Sequence, residues 1–263
     1  MLINSEEKYV PMLTELWNKV FGDDEEYIKL FFKQAFYDSE CFAVIENEKI
    51  ISTLYLLKSK IRCCGKTYNG RYLYAAATLS EHRGQGHMSR LLNEAKAYAK
   101  EKSLDFIALV PASDSLYSYY ESFGYNEAMY KYKLKSESRS FRFDCLNEIT
   151  DPKAFHKIRS SSNENMLFYD EIIAKYAFEC LNFSGKRVYS LNNDSLFIPG
   201  EELFCPLEQE KACYDFLQNY SDGFGTVFSN RAFDTGEKMR NGMIYPINLE
   251  LINKEVYMNI ALD

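Results

Sequence analysis

Thr78-Leu-Ser-Glu-His-Arg-Gly-Gln-Gly-His-Met-Ser-Arg-Leu-Leu92 follows an apolar run from Tyr72 to Ala77 and leads into Met88, Leu91, Leu92, Ala95 and Ala99. The run reads as a buried strand, and the residues after it are spaced as one face of a helix. A strand therefore passes into a helix through a short loop that carries Gly84 and Gly86. Glycine lets the backbone approach a ligand closely, and the first N–H groups of a helix have no intrahelical acceptor. The helix dipole points its positive end at the same place, so the segment is an anion site suited to a pyrophosphate.

Two common pyrophosphate loops are excluded. A nucleotide-hydrolase phosphate loop needs Lys-Ser or Lys-Thr after its last glycine, and here His87 and Met88 follow Gly86. A dinucleotide fingerprint needs three glycines, and only two are present. Arg83-Gly84-Gln85-Gly86-His87-Met88 instead resembles the Arg/Gln-x-x-Gly-x-Gly/Ala signature of the GCN5-related N-acetyltransferases. A second apolar run, Asp105 to Val110, follows the helix, and Ser113-Asp-Ser-Leu-Tyr-Ser-Tyr-Tyr-Glu-Ser-Phe-Gly-Tyr125 is similar to that family's second motif. The order and spacing of the two motifs, with a strand between them, make the pair specific. The resemblance is closest over residues 40–135. Met88 stands where the family usually has a small residue. A bulky residue there is similar to the two-lobed members related to the enhanced-intracellular-survival acetyltransferases.

The resemblance implies the chemistry. Acetyl-CoA is the expected co-substrate, its pantetheine arm lying along the strand at Ala76, Ala77 and Thr78 like an added strand. Arg83, Gly84, Gln85, Gly86, His87, Met88 and Ser89 are expected to bind the pyrophosphate, His87 through its N–H. Ser113 stands where the family often has an asparagine touching the pantetheine. Tyr120, four residues before Gly124, matches the family's tyrosine general acid, which donates a proton as the thiolate leaves. The neighbouring Tyr117, Tyr119 and Tyr125 read as core or surface aromatics. No acidic residue lies between Tyr72 and Leu79, and Glu81 reads as a solvated loop carboxylate. In the multi-lobed relatives the chain's terminal carboxylate reaches the active site, which makes Asp263 the catalytic candidate by analogy.

The rest of the chain agrees with this frame. Its 263 residues exceed one acetyltransferase lobe of about 150 residues, leaving a second unit of ordinary domain size. Net charge is −7, which disfavours nonspecific nucleic-acid and anionic-membrane binding. The N-terminus lacks an apolar signal core and no apolar run is long enough to span a membrane. Seven cysteines without Cys-x-x-Cys pairs, and no histidine cluster at ligand spacing, point to no metal and to a reduced, cytoplasmic setting. Cys41, Cys180 and Cys213 read as small buried hydrophobes.

The predicted order is α-α-β-β-β-α-β-α-β, an acetyltransferase-like α/β layout with a mixed sheet flanked by helices. The helices are Pro11 to Phe21, Glu25 to Phe36, Gly86 to Lys102 and Leu116 to Phe123. Strands are expected at Cys41 to Glu46, Ile50 to Cys63, Tyr72 to Leu79, Asp105 to Val110 and Tyr125 to Leu134. Charge-rich Lys135 to Ser140 marks a junction, so the domains are 1–138, binding acetyl-CoA, and 139–263, a second α/β lobe. That lobe is expected to have helices near Pro152 to Ser160, Tyr169 to Leu181 and Leu207 to Gln218. Its strands are expected near Lys186 to Leu191, Ser195 to Ile198, Thr226 to Ser229, Gly242 to Asn248 and Glu255 to Leu262. It lacks the glycine loop. It is either a degenerate acetyltransferase-like lobe that helps form the acceptor pocket or an unrelated α/β unit with a packing or homo-oligomer role. The expected function is N-acetylation of an amine, a small molecule above all. The alternatives are a protein or peptide acceptor, and an acetyl-CoA-binding or scaffold module without transferase activity.

Overall fold

The computed structural model describes residues 2–3, 5–135, 146–218, 226–234, 236–249, 255–258 and 262. In the first half these form β1 (Leu2–Ile3), α1 (Val10–Phe21), α2 (Glu25–Gln34), β2 (Glu40–Glu46), β3 (Lys49–Cys63), β4 (Lys66–Thr78), α3 (His87–Glu101), β5 (Phe106–Leu109), α4 (Ser115–Glu121) and β6 (Asn126–Lys135). The second half supplies β7 (Leu146–Ile149), α5 (Pro152–Ser161), β8 (Met166–Tyr169), α6 (Glu171–Phe183), β9 (Val188–Leu191), β10 (Ser195–Ile198) and β11 (Glu202–Phe204). After these come α7 (Glu210–Gln218), β12 (Thr226–Ser229), β13 (Glu237–Pro246) and β14 (Val256–Tyr257).

Local chemistry accounts for most boundaries. Gly22 ends α1 in the left-handed region, and the Asp24 carboxylate caps α2 by accepting from the Glu26 N–H. Asp151 with Pro152, and Asp170, begin α5 and α6 in the same way. α3 buries Leu91, Leu92, Ala95 and Ala99, the face its spacing predicts.

All fourteen strands of the described residues belong to one sheet, ordered β1-β2-β3-β4-β5-β13-β6-β12-β11-β10-β9-β7, with β14 on β6 and β8, and β8 on β3. This order is symmetric about the seam between β13 and β6. β4 and β5 run parallel with α3 between them in sequence, and β11 and β12 run parallel with α7 between them. β2-β3-β4 and β9-β10-β11 are antiparallel meanders on either flank. At the centre the halves exchange strands. β13 of the second half lies antiparallel between β5 and β6, while β6 of the first half lies antiparallel to β12. Gly242 makes the insertion possible, since at φ 139° a Cβ there would lie 2.7 Å from the Leu109 carbonyl oxygen. The proposed 138/139 boundary lies outside the described residues, and across it the two halves share hydrogen-bonded strands.

The second half thus has the strand plan of the first but lacks its anion loop. The link from β11 to α7 is Cys205-Pro206-Leu207-Glu208-Gln209, with Glu210 opening the helix. Carboxylates at a helix start neutralise the positive pole that an anion would need.

Some expectations need adjusting. β1, β7, β8 and β11 had no predicted counterpart, and α6 begins at Glu171 because Met166–Tyr169 pairs with β3. β13 begins at Glu237, five residues before the expected Gly242, because its first arm is exposed and carries no apolar signal. Of the strand expected from Glu255 to Leu262, the described residues contain only Val256–Tyr257.

Candidate active site

The glycine loop has the geometry its sequence implies. Gly84 and Gly86 adopt φ 75° and 81°, and a Cβ at either would meet nothing within 4 Å, so the backbone borders open space. The first helical hydrogen bond of α3 runs from the Arg90 N–H to the Gly86 carbonyl, 3.0 Å. The amides of His87, Met88 and Ser89 precede it and have no acceptor within the helix. Side chains brace the loop from behind. Arg83 Nε donates to the Thr78 carbonyl at 3.1 Å, and Gln85 Nε2 donates to the Glu81 carbonyl at 3.2 Å. Met88 is half-buried and packs against the main core. Arg90 pairs with Glu94 along the helix.

The strand before the loop is interrupted by a bulge of which the sequence pattern carries no sign. Between the pairs Thr53–Ala77 and Tyr55–Tyr74, β3 advances by two residues and β4 by three. The additional residue falls at Ala75–Ala76, and Ala75 sits at φ 44°. A non-glycine residue there costs about 1–3 kcal/mol and re-aims the backbone. The β4–β5 ladder ends at the pair Tyr72–Ala108. Beyond it the two parallel strands have no mutual partners, and backbone groups of Ala75 and Ala76 border an opening.

That opening is a cavity of about 420 Å³, walled by aromatic Trp17, Phe21, Tyr72 and Tyr74 and by Ala75, Ala76, Val110 and Tyr120. Tyr120 lines the same cavity, buried, with no hydrogen-bond partner for its hydroxyl among the described residues. Burial, with a smaller contribution from Tyr119, pushes its pKa up to about 12, so it keeps its proton throughout the neutral range. Tyr117 instead lies under the Arg240 guanidinium, 4.0 Å from ring centroid to cation, and Tyr119 packs on Phe123. Of the three tyrosines, Tyr120 alone lines the cavity. Ser113 lies in the exposed turn before α4, hydrogen-bonded to Ser115, and does not line the cavity.

Asp23 is the acidic residue among the described cavity walls, a position the sequence did not indicate. It lies in the break between α1 and α2, where sequence shows only a helix stop, and its Oδ2 accepts from Trp17 Nε1 at 2.7 Å. The second half reaches the cavity twice. Leu262 lines it, while Asp263 lies outside the described residues. Tyr176 of α6 backs the wall through a 3.0 Å hydroxyl contact with Tyr74, which also meets Tyr27 at 3.5 Å.

The family model described as acetyltransferase (GNAT) domain matches residues 2–128. The chain carries a GNAT domain. Solved structures resemble the GNAT fold of this chain over nearly its whole length. Among them is a GCN5-related N-acetyltransferase from Anabaena variabilis, with TM-score 0.68 and 14% identity over 93% of this chain and 72% of that one. Another is Eis1 from Mycobacterium abscessus, with TM-score 0.67 and 10% identity over 94% and 73%. A third, from Kribbella flavida, is also a GCN5-related N-acetyltransferase, with TM-score 0.66 and 15% identity over 94% and 72%. At these identities the likeness concerns the fold. No curated protein matches the sequence. The family assignment supports an acyltransferase, and no helix of the described residues is long and apolar enough to cross a membrane.

Proposed function

We propose that this protein transfers the acetyl group of acetyl-CoA to the amine of a small molecule, within a ternary complex. The observation that carries this reading is the shared cavity. Tyr120 and the Ala75–Ala76 bulge face one volume, and the strand that carries the bulge leads directly into the open amides of Gly84 to Ser89. The diphosphate of acetyl-CoA fits those amides, and Ala76, Ala77 and Thr78 fit the pantetheine arm. The acceptor nitrogen attacks the thioester carbon, the C–S bond breaks, and the sulfur takes the Tyr120 proton. The nitrogen loses its own proton, so the products are an acetamide and free CoA thiol.

The wall chemistry supports a cationic acceptor with an apolar body. Trp17, Phe21, Tyr72 and Tyr74 present ring faces, and Asp23 presents a carboxylate that can hold an ammonium and then take its proton. Asp263 is the second carboxylate in the proposal, following Leu262 in sequence. Tyr176 and Leu262 support a role for the second lobe in shaping the acceptor end of the cavity.

The test is thiol release from acetyl-CoA across a panel of small amines, polyamines, aminoglycosides and peptides. Asp23→Asn is run beside the wild type on the best acceptor. A small cationic acceptor should turn over, and Asp23→Asn should raise its KM far more than that of acetyl-CoA. Acetyl-CoA binding without release for any acceptor would favour a binding module. Release with peptides alone would favour a protein acceptor.

A further inference from the structure

The chain has three histidines, and the fold brings two of them together with a carboxylate from a third segment. Glu46 ends β2, His82 ends the 3-10 turn that follows β4, and His87 opens α3. The rings of His82 and His87 lie 6.2 Å apart between centroids. His87 Nε2 lies 3.9 Å from Glu46 Oε1, and one ligand atom from each of the three residues falls within 4.8 Å of the others. The His87 side chain is only 14% exposed although it stands at a loop-to-helix junction, so its ring is held in place.

We propose that Glu46, His82 and His87 form a binding site for a divalent transition-metal ion of the zinc class. Two imidazoles and one carboxylate are donors that suit zinc, cobalt, nickel and copper. Magnesium and calcium prefer all-oxygen shells. Metal–ligand bonds of roughly 2.1 Å in a tetrahedron set donor atoms about 3.4 Å apart. The observed spacings close to that value through small rotations, for which the exposed Glu46 carboxylate has room. The fourth position is left to water.

The position gives the site a consequence. The three ligands belong to the segments that frame the Gly84–Gly86 loop, so one ion cross-links them. Two neutral imidazoles, one carboxylate and a divalent cation leave a net positive charge beside the open amides of α3. The His87 N–H can still face a diphosphate while its imidazole faces the metal. Sequence reading could not find this set, because His82 and His87 are five residues apart and Glu46 is remote in the chain.

The experiment uses the full chain, stripped with a chelator and titrated with Zn²⁺ by calorimetry and with Co²⁺ by visible absorption. Wild type and His156→Ala, whose histidine lies on α5, should each bind one equivalent. His82→Ala and Glu46→Gln should each weaken binding at least about ten-fold. Metal-free melting curves of these two partly exposed variants should match wild type, which separates ligand loss from unfolding. At one hundred times its dissociation constant, Zn²⁺ should raise the wild-type folding equilibrium about 100-fold and leave His82→Ala little changed. Three results would overturn the proposal. One is no saturable Zn²⁺ binding by wild type, another is equal binding by the two site variants. The third is a thiolate-to-cobalt charge-transfer band, which would move the ion to the cysteines. None of these readouts depends on acetyl transfer, so the site and the proposed reaction stand or fall separately.

Discussion

A fragment containing residues 1–139 holds every proposed acetyl-CoA-binding residue, yet it should not form a stable cofactor site. Such a fragment lacks β13, which runs along β5 from Met243 to Pro246 and along β6 from Glu237 to Ile244. Met243 and Ile244 are fully buried between those strands. Truncating one such side chain to alanine costs about 2–5 kcal/mol. Losing both therefore removes about 4–10 kcal/mol, against a typical whole-domain stability of 5–15 kcal/mol. The strand's backbone bonds would be lost as well, leaving the inner edges of β5 and β6 unpaired next to Tyr120. The assay is thermal unfolding by circular dichroism, with and without acetyl-CoA. The fragment should show no cooperative transition and no shift with acetyl-CoA, and co-expression with residues 140–263 should restore both. In the full chain, Ile244→Ala alone should lower Tm by roughly 4–20 °C, from 2–4 °C for each kcal/mol in a protein of this size. A fragment that melts cooperatively and binds acetyl-CoA like the full chain would refute the argument that the exchanged strand is required.

Three further outcomes follow from the site. Tyr120→Phe should lower kcat and kcat/KM together by on the order of 100-fold while acetyl-CoA affinity stays constant. Tyr117→Phe and Tyr119→Phe should change little, and equal effects in all three would remove Tyr120 from the acid role. Gly86→Val should abolish the thermal shift given by acetyl-CoA. Gly65→Ala is the strain control, at φ 77° with the same open surroundings in the β3–β4 turn, and it should keep that shift. Stability should also fall at alkaline pH. Burial raises Tyr27 and Tyr120 to about 12 and holds Tyr55, Tyr74, Tyr125, Tyr176 and Tyr257 well above the ordinary value of 10.0. The folded state therefore favours the neutral phenols. Their contribution is complete below the unfolded value and is lost as pH rises from about 10 towards 12, so urea midpoints should drop across that window. A flat midpoint there would show that these rings ionise without unfolding.

What could be read from the sequence was the chemistry that a few adjacent residues encode. Gly84 and Gly86 before an amphipathic helix specify the cradle because both features are local in sequence. Asp24 and Asp151 directly precede the predicted helices and cap them for the same reason, whereas α6 was expected from Tyr169, one residue ahead of its cap Asp170. The bulge left no trace, since Ala75, Ala76 and Ala77 are alike in side chain and only the register against β3 distinguishes them. β11 was hidden by Glu202, which reads as a surface residue but lies buried, paired with Arg159 and accepting from the Tyr257 hydroxyl at 2.6 Å. Asp23 looked like part of a helix break because its place in the cavity wall depends on Trp17 and on four other segments that only the fold brings together. The exchange of β13 and β6 was illegible on principle, because the pairing partner of a strand is not written in that strand's own pattern.

The strand exchange also bears on how the protein is made. Ribosomes release a chain from its N-terminus at about 5–20 residues per second, and domains ordinarily fold in that order. Here the first lobe's last contiguous strand ends at Lys135, but the strand that fills its centre ends at Pro246. The nascent lobe therefore waits on the order of ten seconds with the edges of β5 and β6 uncovered. During that interval its neighbours on the polysome expose the same edges, and each edge accepts any strand that pairs with it. A chaperone that covers β5 and β6 until β13 arrives would raise the yield of active protein without touching the finished fold.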